Sequence, residues 1–361
     1  MVGMRDVAKE AGVSLSTVSL VVNKTGYVSD DMRARVKAAM KELNYVPNEL
    51  ARNLYKNRTN LVGVIVPTIR HPFFATLTAH LQRELAAQGL RTMLCSTVDA
   101  ENGEVEYVDM LRRHMMDGII VCSHTTHPND YWTSIHRPIV AFDRVLGGGI
   151  ASIGSDHEQG GRLMAHMLVN TGAHHVVMIG GPRDQFFDLA ARNGDSPDDF
   201  DLHKTTFPAV RYYLTLEQEL KAAGVRYEYV EAGNVEDFQG YKNAVNAVLN
   251  SMPVDGVDAV VSSDIGAALC VREAMRRHIS IPRDLQIIAY DGTYLTDLAG
   301  MKMTAVAQNF DKIAQVAVGN IVRAIAKEGD AKADTTSATG RKPYEPDVLI
   351  PVTRKLGDTT R

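Results

Sequence analysis

Residues 6–19 read DVAKEAGVSLSTVS, and this stretch decides the fold of the N-terminal part of the chain. Residues 4–11 have a helical pattern that Gly12 is placed to end, and Ser14 can cap a second helix that runs to about Asn23. Two short helices with so tight a connection are typical of a helix-turn-helix. An ordinary three-helix bundle explains the same spacing equally well.

In a helix-turn-helix, the second helix enters the major groove of DNA and brings its N-terminal side chains to the base edges. In this sequence those side chains are short polar groups and leucines, which suit hydrogen bonds to bases and contact with thymine methyl groups. The residues are Leu15, Ser16, Thr17, Ser19, Leu20 and Asn23. The alternative is that they are surface residues of a helical bundle.

Charge is distributed unevenly along the 361 residues. Residues 1–60 contain ten lysines and arginines and six acids, a net charge of +4, and since the whole chain carries −4 the remainder carries −8. A basic end on an acidic body suits a segment that binds a polyanion, although chance explains the charge alone equally well. The composition, 45% hydrophobic and 23% charged, excludes a wholly disordered or coiled-coil chain, and the length predicts two or three structural units.

From Leu61 onward, apolar runs of strand-like composition alternate with helical patterns. This alternation predicts doubly wound α/β units with parallel sheets, and about 300 residues are too many for one such core, so we expect two lobes. The predicted strands are 61–66, 91–95, 118–121, 139–142, 176–179, 227–230, 259–261 and 285–290.

Two aspartates directly follow predicted strands, Asp143 and Asp291. Ligands of such sheets bind beyond the carboxyl ends of the strands, where a carboxylate can accept hydrogen bonds from the hydroxyls of a sugar or another polyol. Aspartates are also common at turns and helix caps in these places, and position alone favours neither reading.

Several classes of protein are excluded by what the sequence does not contain. The apolar runs are far shorter than the ~20 residues of a membrane span, and the N-terminus has no apolar export signal. Three widely separated cysteines, Cys95, Cys122 and Cys270, exclude a disulfide scaffold and a zinc ribbon. Without a nucleotide-binding or hydrolase motif, we expect a cytoplasmic protein that is not an enzyme and holds no metal or cofactor.

The first sixty residues resemble the lactose-repressor (LacI/GalR) family of bacterial regulators. The resemblance rests on the opening stretch and on Val28-Ser29, Arg33, Arg35-Val36, Glu42-Leu43, Tyr45–Asn48 and Ala51–Leu54. It implies a helix-turn-helix domain over residues 1–46, a hinge helix and linker over 47–60, and an effector-binding and dimerisation body over 61–361. It also adds Tyr27, Ser29, Arg33, Asn48, Ala51 and Leu54 to the expected DNA contacts.

Two positions within this segment carry particular implications. By resemblance, Leu54 is the leucine that the paired hinge helices insert into the minor groove, where an apolar wedge kinks the duplex. Leu20 stands where many members of the family carry arginine, so an arginine that reads guanine is missing there.

The resemblance continues through the body in Val62–Pro67, Pro72-Phe73-Phe74, Asp117–Val121, Ile179–Pro182 and Ile287–Gly292, while residues 183–210 look like an insertion. It implies a periplasmic-binding-protein-like fold with lobe 1 over about 61–155 and 291–322 and lobe 2 over 156–290 and 323–361. The chain would cross between the two lobes three times, and the effector cleft would lie between the lobes. Asp143 and Asp291 would lie on the same lobe. The expected effector contacts are Phe73, Phe74, Asp143, Arg211, Ser263, Asp291 and Gln308.

The sequence therefore predicts a homodimeric transcriptional regulator, in most such cases a repressor. Its affinity for a pseudo-palindromic operator would be controlled by a small effector, for which a sugar fits the aromatic and carboxylate residues and a purine remains an alternative. A solute-binding protein without DNA function is the competing class, and the basic helical N-terminus counts against it.

Overall fold

The computed structural model describes residues 2–23, 25–47, 58–98, 103–123, 125, 127–182, 208–329 and 346–361. The chain divides into two compact units, Met1–Asn60 and Leu61–Arg361. In the described part of the chain, no helix combines the length and the apolar composition that crossing a bilayer requires.

The N-terminal unit contains three helices, as the sequence predicts: α1 (Met4–Ala11), α2 (Leu15–Asn23) and α3 (Asp30–Glu42). Gly12 ends α1 in the left-handed conformation with φ of 61°, which glycine adopts without strain. The hydroxyls of Ser14 and Ser29 accept hydrogen bonds from the backbone N–H groups of Thr17 (3.1 Å) and Met32 (3.4 Å). The predicted serine caps are thus present in the structure.

A small apolar core and one arginine hold these helices together. Val7, Val18 and Val36, one from each helix, are fully buried in a shared cluster. Arg35 of α3 donates to the carbonyl oxygens of Ala11 (2.6 Å) and Gly12 (3.0 Å), which satisfies the C-terminal end of α1.

Within the described residues, the body is built from twelve strands, nine α-helices and one short 3-10 helix, Pro208–Val210. The strands are β1 (Leu61–Val66), β2 (Arg91–Ser96), β3 (Gly118–Val121), β4 (Ile139–Phe142), β5 (Ala151–Ser155), β6 (His175–Gly180), β7 (Arg226–Glu231), β8 (Ala259–Ser263), β9 (Gln286–Asp291), β10 (Thr304–Ala307), β11 (Val348–Ile350) and β12 (Thr353–Lys355). The helices are α4 (Pro72–Ala87), α5 (Gly103–Arg112), α6 (Asn129–Thr133), α7 (His157–Asn170), α8 (Arg211–Ala222), α9 (Phe238–Asp255), α10 (Asp264–Arg276), α11 (Leu295–Leu298) and α12 (Phe310–Gly329).

The strands form two six-stranded sheets, and the prediction of parallel sheets is confirmed. The first sheet has the order β11-β5-β4-β3-β1-β2, with every neighbouring pair parallel. The second has the order β12-β10-β9-β8-β6-β7 and is parallel except for the antiparallel pair of β10 and β12.

Helices cover both faces of each sheet. On the first sheet, α4 and α12 pack on one face, while α5 and the fully buried Trp132 of α6 pack on the other. On the second sheet, α7 and α8 cover one face and α9 and α10 cover the other. Because both faces are covered, inner strands such as β1, β3 and β4 are almost continuously apolar, which is why runs such as Leu61–Val66 were readable in the sequence. The edge strands β2 and β7 are more polar and more exposed.

The chain passes between the two sheets after β5, after β10, and between β11 and β12. The second and third of these crossings differ from the lobe boundaries expected at residues 291 and 323. Strand β10 pairs with β9 and belongs to the second sheet, and α12 packs on the first sheet up to Ile325. The short runs that form β10, β11 and β12 carry no strong strand pattern, so the sequence alone could not place the crossings.

The packing of α12 on the first sheet generates a test of this chain path. Ile321 is fully buried, and a Cβ atom at Gly118 of β3 would lie only 2.8 Å from its Cδ1 atom. Ile321→Ala leaves a cavity in this contact and should lower the free energy of unfolding by about 2–5 kcal/mol. Leu298→Ala, at a side chain that is 71% exposed, is the control. Urea unfolding that showed equal, small losses for both variants would contradict this packing.

Candidate functional site

A cavity lies where the carboxyl ends of the two sheets approach each other. It encloses about 750 Å³ of space between protein atoms, including its open mouth. Six of the seven predicted effector residues line it: Phe73, Phe74, Asp143, Ser263, Asp291 and Gln308.

The seventh predicted residue, Arg211, is not among the lining residues. It is the first residue of α8, and its buried guanidinium lies 4.0 Å from the carboxylate of Glu158. The residues that follow it in the chain, Tyr212 and Tyr213, reach the cavity instead.

The two aspartates approach the cavity from opposite sheets, which corrects the expectation that they share a lobe. Asp143 follows β4 of the first sheet, whereas Asp291 is the last residue of β9 in the second sheet. Both have positive φ angles, 48° and 118°, which side chains other than glycine seldom adopt. Strained backbone of this kind clusters at functional sites.

Asp291 is held by a short network of hydrogen bonds. Its Oδ1 atom accepts from Nε2 of Gln308 (2.8 Å), whose Oε1 accepts from the hydroxyl of Ser155 (2.6 Å). Burial raises the pKa of Asp291 well above its usual range, and the nearby carboxylate of Asp264 adds to this shift.

Asp143 lies in a denser set of polar contacts. Its Oδ1 atom accepts from the backbone N–H of Ser155 (3.2 Å) and lies 3.0 Å from Nε2 of His157. The neighbouring Arg144 donates from Nε to the carbonyl oxygen of Ser123 (2.6 Å) and from Nη1 to that of Asp143. Burial lowers the pKa of Arg144 to about 10, so the guanidinium stays charged at neutral pH.

Aromatic rings form the apolar walls. On the side of the first sheet, the rings of Phe73 and Phe74 pack edge to face with centroids 5.0 Å apart. On the side of the second sheet, Tyr212 stacks on Tyr290 at 3.8 Å with an interplanar angle of 6°. Aromatic faces beside carboxylates can pack on the C–H face of a sugar ring while its hydroxyls donate to the acids.

Several residues that line the cavity were not among the predicted effector contacts: His71, Arg144, His157, Tyr212, Tyr213, Tyr241 and Tyr290. Arg144 and Tyr290 are direct neighbours of the two predicted aspartates, and that adjacency was an available signal. His157 is the first residue of α7 and Tyr212 the second of α8, and these helix starts reach the cavity only because of where the chain crosses between the sheets, which no local pattern reveals. Within the described residues, no cluster of three His, Cys, Asp or Glu side chains could hold a metal ion.

The residues predicted to contact DNA from α2 are unevenly exposed. Leu15, with 44% exposure, and Ser16 are exposed at the start of the helix, whereas Thr17, Ser19 and Asn23 are half-buried. Leu20 is also half-buried and packs against the apolar core of its unit, so part of its surface is used for folding.

Of the further DNA contacts implied by resemblance, Tyr27 is 92% exposed. Ser29 caps α3, and Arg33 lies half-buried within that helix. Asn48, Ala51 and Leu54 lie outside the described residues, as does the expected hinge helix.

Both units of the chain match models of known protein families. Residues 3–48 match the family model described as bacterial regulatory proteins of the lacI family. Residues 59–194 match the model of periplasmic binding proteins and sugar binding domains of the LacI family, and residues 165–342 match a periplasmic binding protein-like domain.

Relatives along most of the chain are operon repressors and not enzymes. The chain is 33% identical to a sucrose operon repressor of Streptococcus mutans over 322 residues, 89% of this chain and 92% of the relative. It is also 33% identical to a ribose operon repressor of Bacillus subtilis over 291 residues, 81% of this chain and 82% of that protein.

Solved structures share the fold at lower identity. A lac repressor dimer bound to operator and an anti-inducer superposes with a TM-score of 0.75 at 22% identity, covering 99% of this chain and 98% of the other. A complex of the transcriptional regulator CelR with cellobiose gives 0.63 at 23% identity, covering 99% of this chain and 100% of the other. With two units that match the family's models and relatives along nine-tenths of its length, the chain belongs to the LacI family of bacterial regulatory proteins.

Proposed function

We propose that this protein is a homodimeric transcriptional repressor of the cytoplasm whose affinity for a pseudo-palindromic operator is set by a sugar bound in the cavity. The observation that carries the proposal is the convergence of Asp143 and Asp291 from opposite sheets on one space walled by aromatic rings. A ligand that contacts both carboxylates senses the arrangement of the two sheets. It shifts an equilibrium between two arrangements only by its difference in affinity for them.

Operator binding is proposed to reside in the basic N-terminal unit. The exposed start of α2, with Leu15 and Ser16, suits entry into the major groove, and the net charge of +4 on residues 1–60 suits phosphate contacts. Asn48, Ala51 and Leu54 remain proposed contacts by resemblance to the family.

A sugar fits the polar groups of the cavity. Carboxylates only accept hydrogen bonds when ionised, so they select hydroxyl donors, while the guanidinium of Arg144 is held by two backbone carbonyls. A purine, whose N–H groups can also donate to carboxylates, would fit the aromatic walls as well, and it is the competing class of ligand. The names of the relatives, which include sucrose, ribose and cellobiose, also support a sugar.

Tyr27 provides a test of the DNA surface. Because the side chain is 92% exposed, Tyr27→Ala should leave the melting temperature unchanged and weaken operator binding in a gel-shift titration by about tenfold. Tyr294→Ala, at an exposed tyrosine of the body, is the matched control and should bind operator like the wild type. Wild-type affinity of the Tyr27 variant would remove this residue from the proposed interface.

The two aspartates provide a test of the effector site. Asp143→Asn and Asp291→Asn keep the size of the side chains, and removing the charged acceptor at Asp143 should cost about 1.5–3 kcal/mol of sugar affinity. The loss should be greater for Asp143. The raised pKa of Asp291 favours its neutral acid form, so replacing it with the neutral amide of asparagine changes less. Calorimetry with a panel of ribose, fructose, glucose, sucrose and cellobiose measures the affinities.

The same variants should bind operator without sugar and respond to it poorly, because neither residue belongs to the N-terminal unit. Asp284→Asn, an exposed aspartate of the body, is the control for the chemical change. A full wild-type response to sugar in both cavity variants would place the effector elsewhere.

A further inference from the structure

Three buried side chains form a chain of contacts from the second sheet to the first. The hydroxyl of Tyr290 lies 2.7 Å from Nδ1 of His157, and Nε2 of the same ring lies 3.0 Å from Oδ1 of Asp143. The three residues are only 2–5% exposed. A hydrogen on Nε2 does not point straight at Oδ1, so this second contact is a close polar contact rather than a linear hydrogen bond.

The chemistry of the groups fixes the direction of this chain. An ionised carboxylate can only accept, so Nε2 of His157 must carry the proton that faces Asp143. In a neutral ring Nδ1 is then an acceptor, and the Tyr290 hydroxyl donates to it. Burial raises the pKa of Tyr290 well above its ordinary value, so this hydroxyl keeps its proton at all working pH values.

The carboxylate of Asp143 is anchored through one oxygen. Within the described residues, the contacts of this carboxylate with Ser155 and His157 are both made by Oδ1. The other oxygen, Oδ2, is left for a ligand in the cavity that Asp143 lines.

We infer that His157 and Tyr290 are positioning residues that hold Asp143 with Oδ2 presented to the bound sugar. This inference rests on the proposed function of the cavity. It also makes the affinity for sugar depend on groups held by the second sheet. Tyr290 lies in β9 of the second sheet, and His157 begins α7, which packs on that sheet, whereas Asp143 directly follows β4 of the first sheet. A change in the relation of the two sheets therefore alters the orientation of the acceptor.

Tyr290→Phe tests the inference because it removes only the hydroxyl and keeps the ring that stacks on Tyr212. Affinity is measured by calorimetry for the panel of ribose, fructose, glucose, sucrose and cellobiose, in the full chain and in the Asp143→Asn background. A positioning role predicts a loss of about 2- to 12-fold in the otherwise wild-type chain, the value of one hydrogen bond. In the Asp143→Asn background the further loss should be less than twofold, because the effect acts through that carboxylate.

Two results of this cycle would overturn the inference. Equal losses in both backgrounds would mean that the Tyr290 hydroxyl contacts the sugar directly. No loss in either background would mean that the contacts from Tyr290 through His157 to Asp143 do not affect sugar binding. Tyr294→Phe, which removes the same group from an exposed tyrosine, is the matched control and should bind sugar like the wild type.

A measurement without sugar separates this inference from the proposed function. If no sugar of the panel binds, the proposed effector class fails. Selective ¹⁵N-histidine NMR of the full-length protein still tests whether His157 connects Tyr290 to Asp143. We expect His157 to show the tautomer protonated at Nε2, and its Nδ1 resonance to shift in Tyr290→Phe. A ring protonated at Nδ1, or an unchanged spectrum in the variant, would exclude the positioning role.

Discussion

Ser155, at the first crossing of the chain between the two sheets, holds both acids of the cavity. Its backbone N–H donates to Asp143, and its hydroxyl donates to Gln308, which in turn donates to Asp291. One residue therefore fixes carboxylates that come from different sheets. The chain leaves the first sheet at this residue: β5 ends at Ser155, and α7 begins at His157.

The burial of ionisable groups in this region is tolerated because each of three such groups is either paired or shifted towards its neutral form. Arg144 is surrounded by carbonyl oxygens, Asp143 is paired with His157, and Asp291 responds to burial by a raised pKa. Unpaired charges in such a place would cost several kcal/mol each. A ligand with several hydroxyls can join this network without bringing a charge of its own.

Regulation of DNA binding by such a cavity requires only that the sugar prefer one arrangement of the sheets. The linkage is reciprocal, so operator and sugar change each other's affinity by the same factor. A contact between groups held by different sheets, such as that between His157 and Asp143, changes when the sheets move. It can therefore give a sugar different affinities for the two arrangements.

Local chemistry was readable from the sequence alone. The caps at Ser14 and Ser29, the left-handed Gly12, and eight of the twelve strands followed from residue type and periodicity, since these depend on neighbours in the chain. The positions of Asp143 and Asp291 at strand ends were likewise visible. Only the tertiary structure decided that they lie on opposite sheets, that Tyr212 rather than Arg211 reaches the cavity, and that His157 joins Tyr290 to Asp143. These outcomes depend on where short strands such as β10 pair, and pairing between residues distant in the chain leaves no periodic signal in either partner.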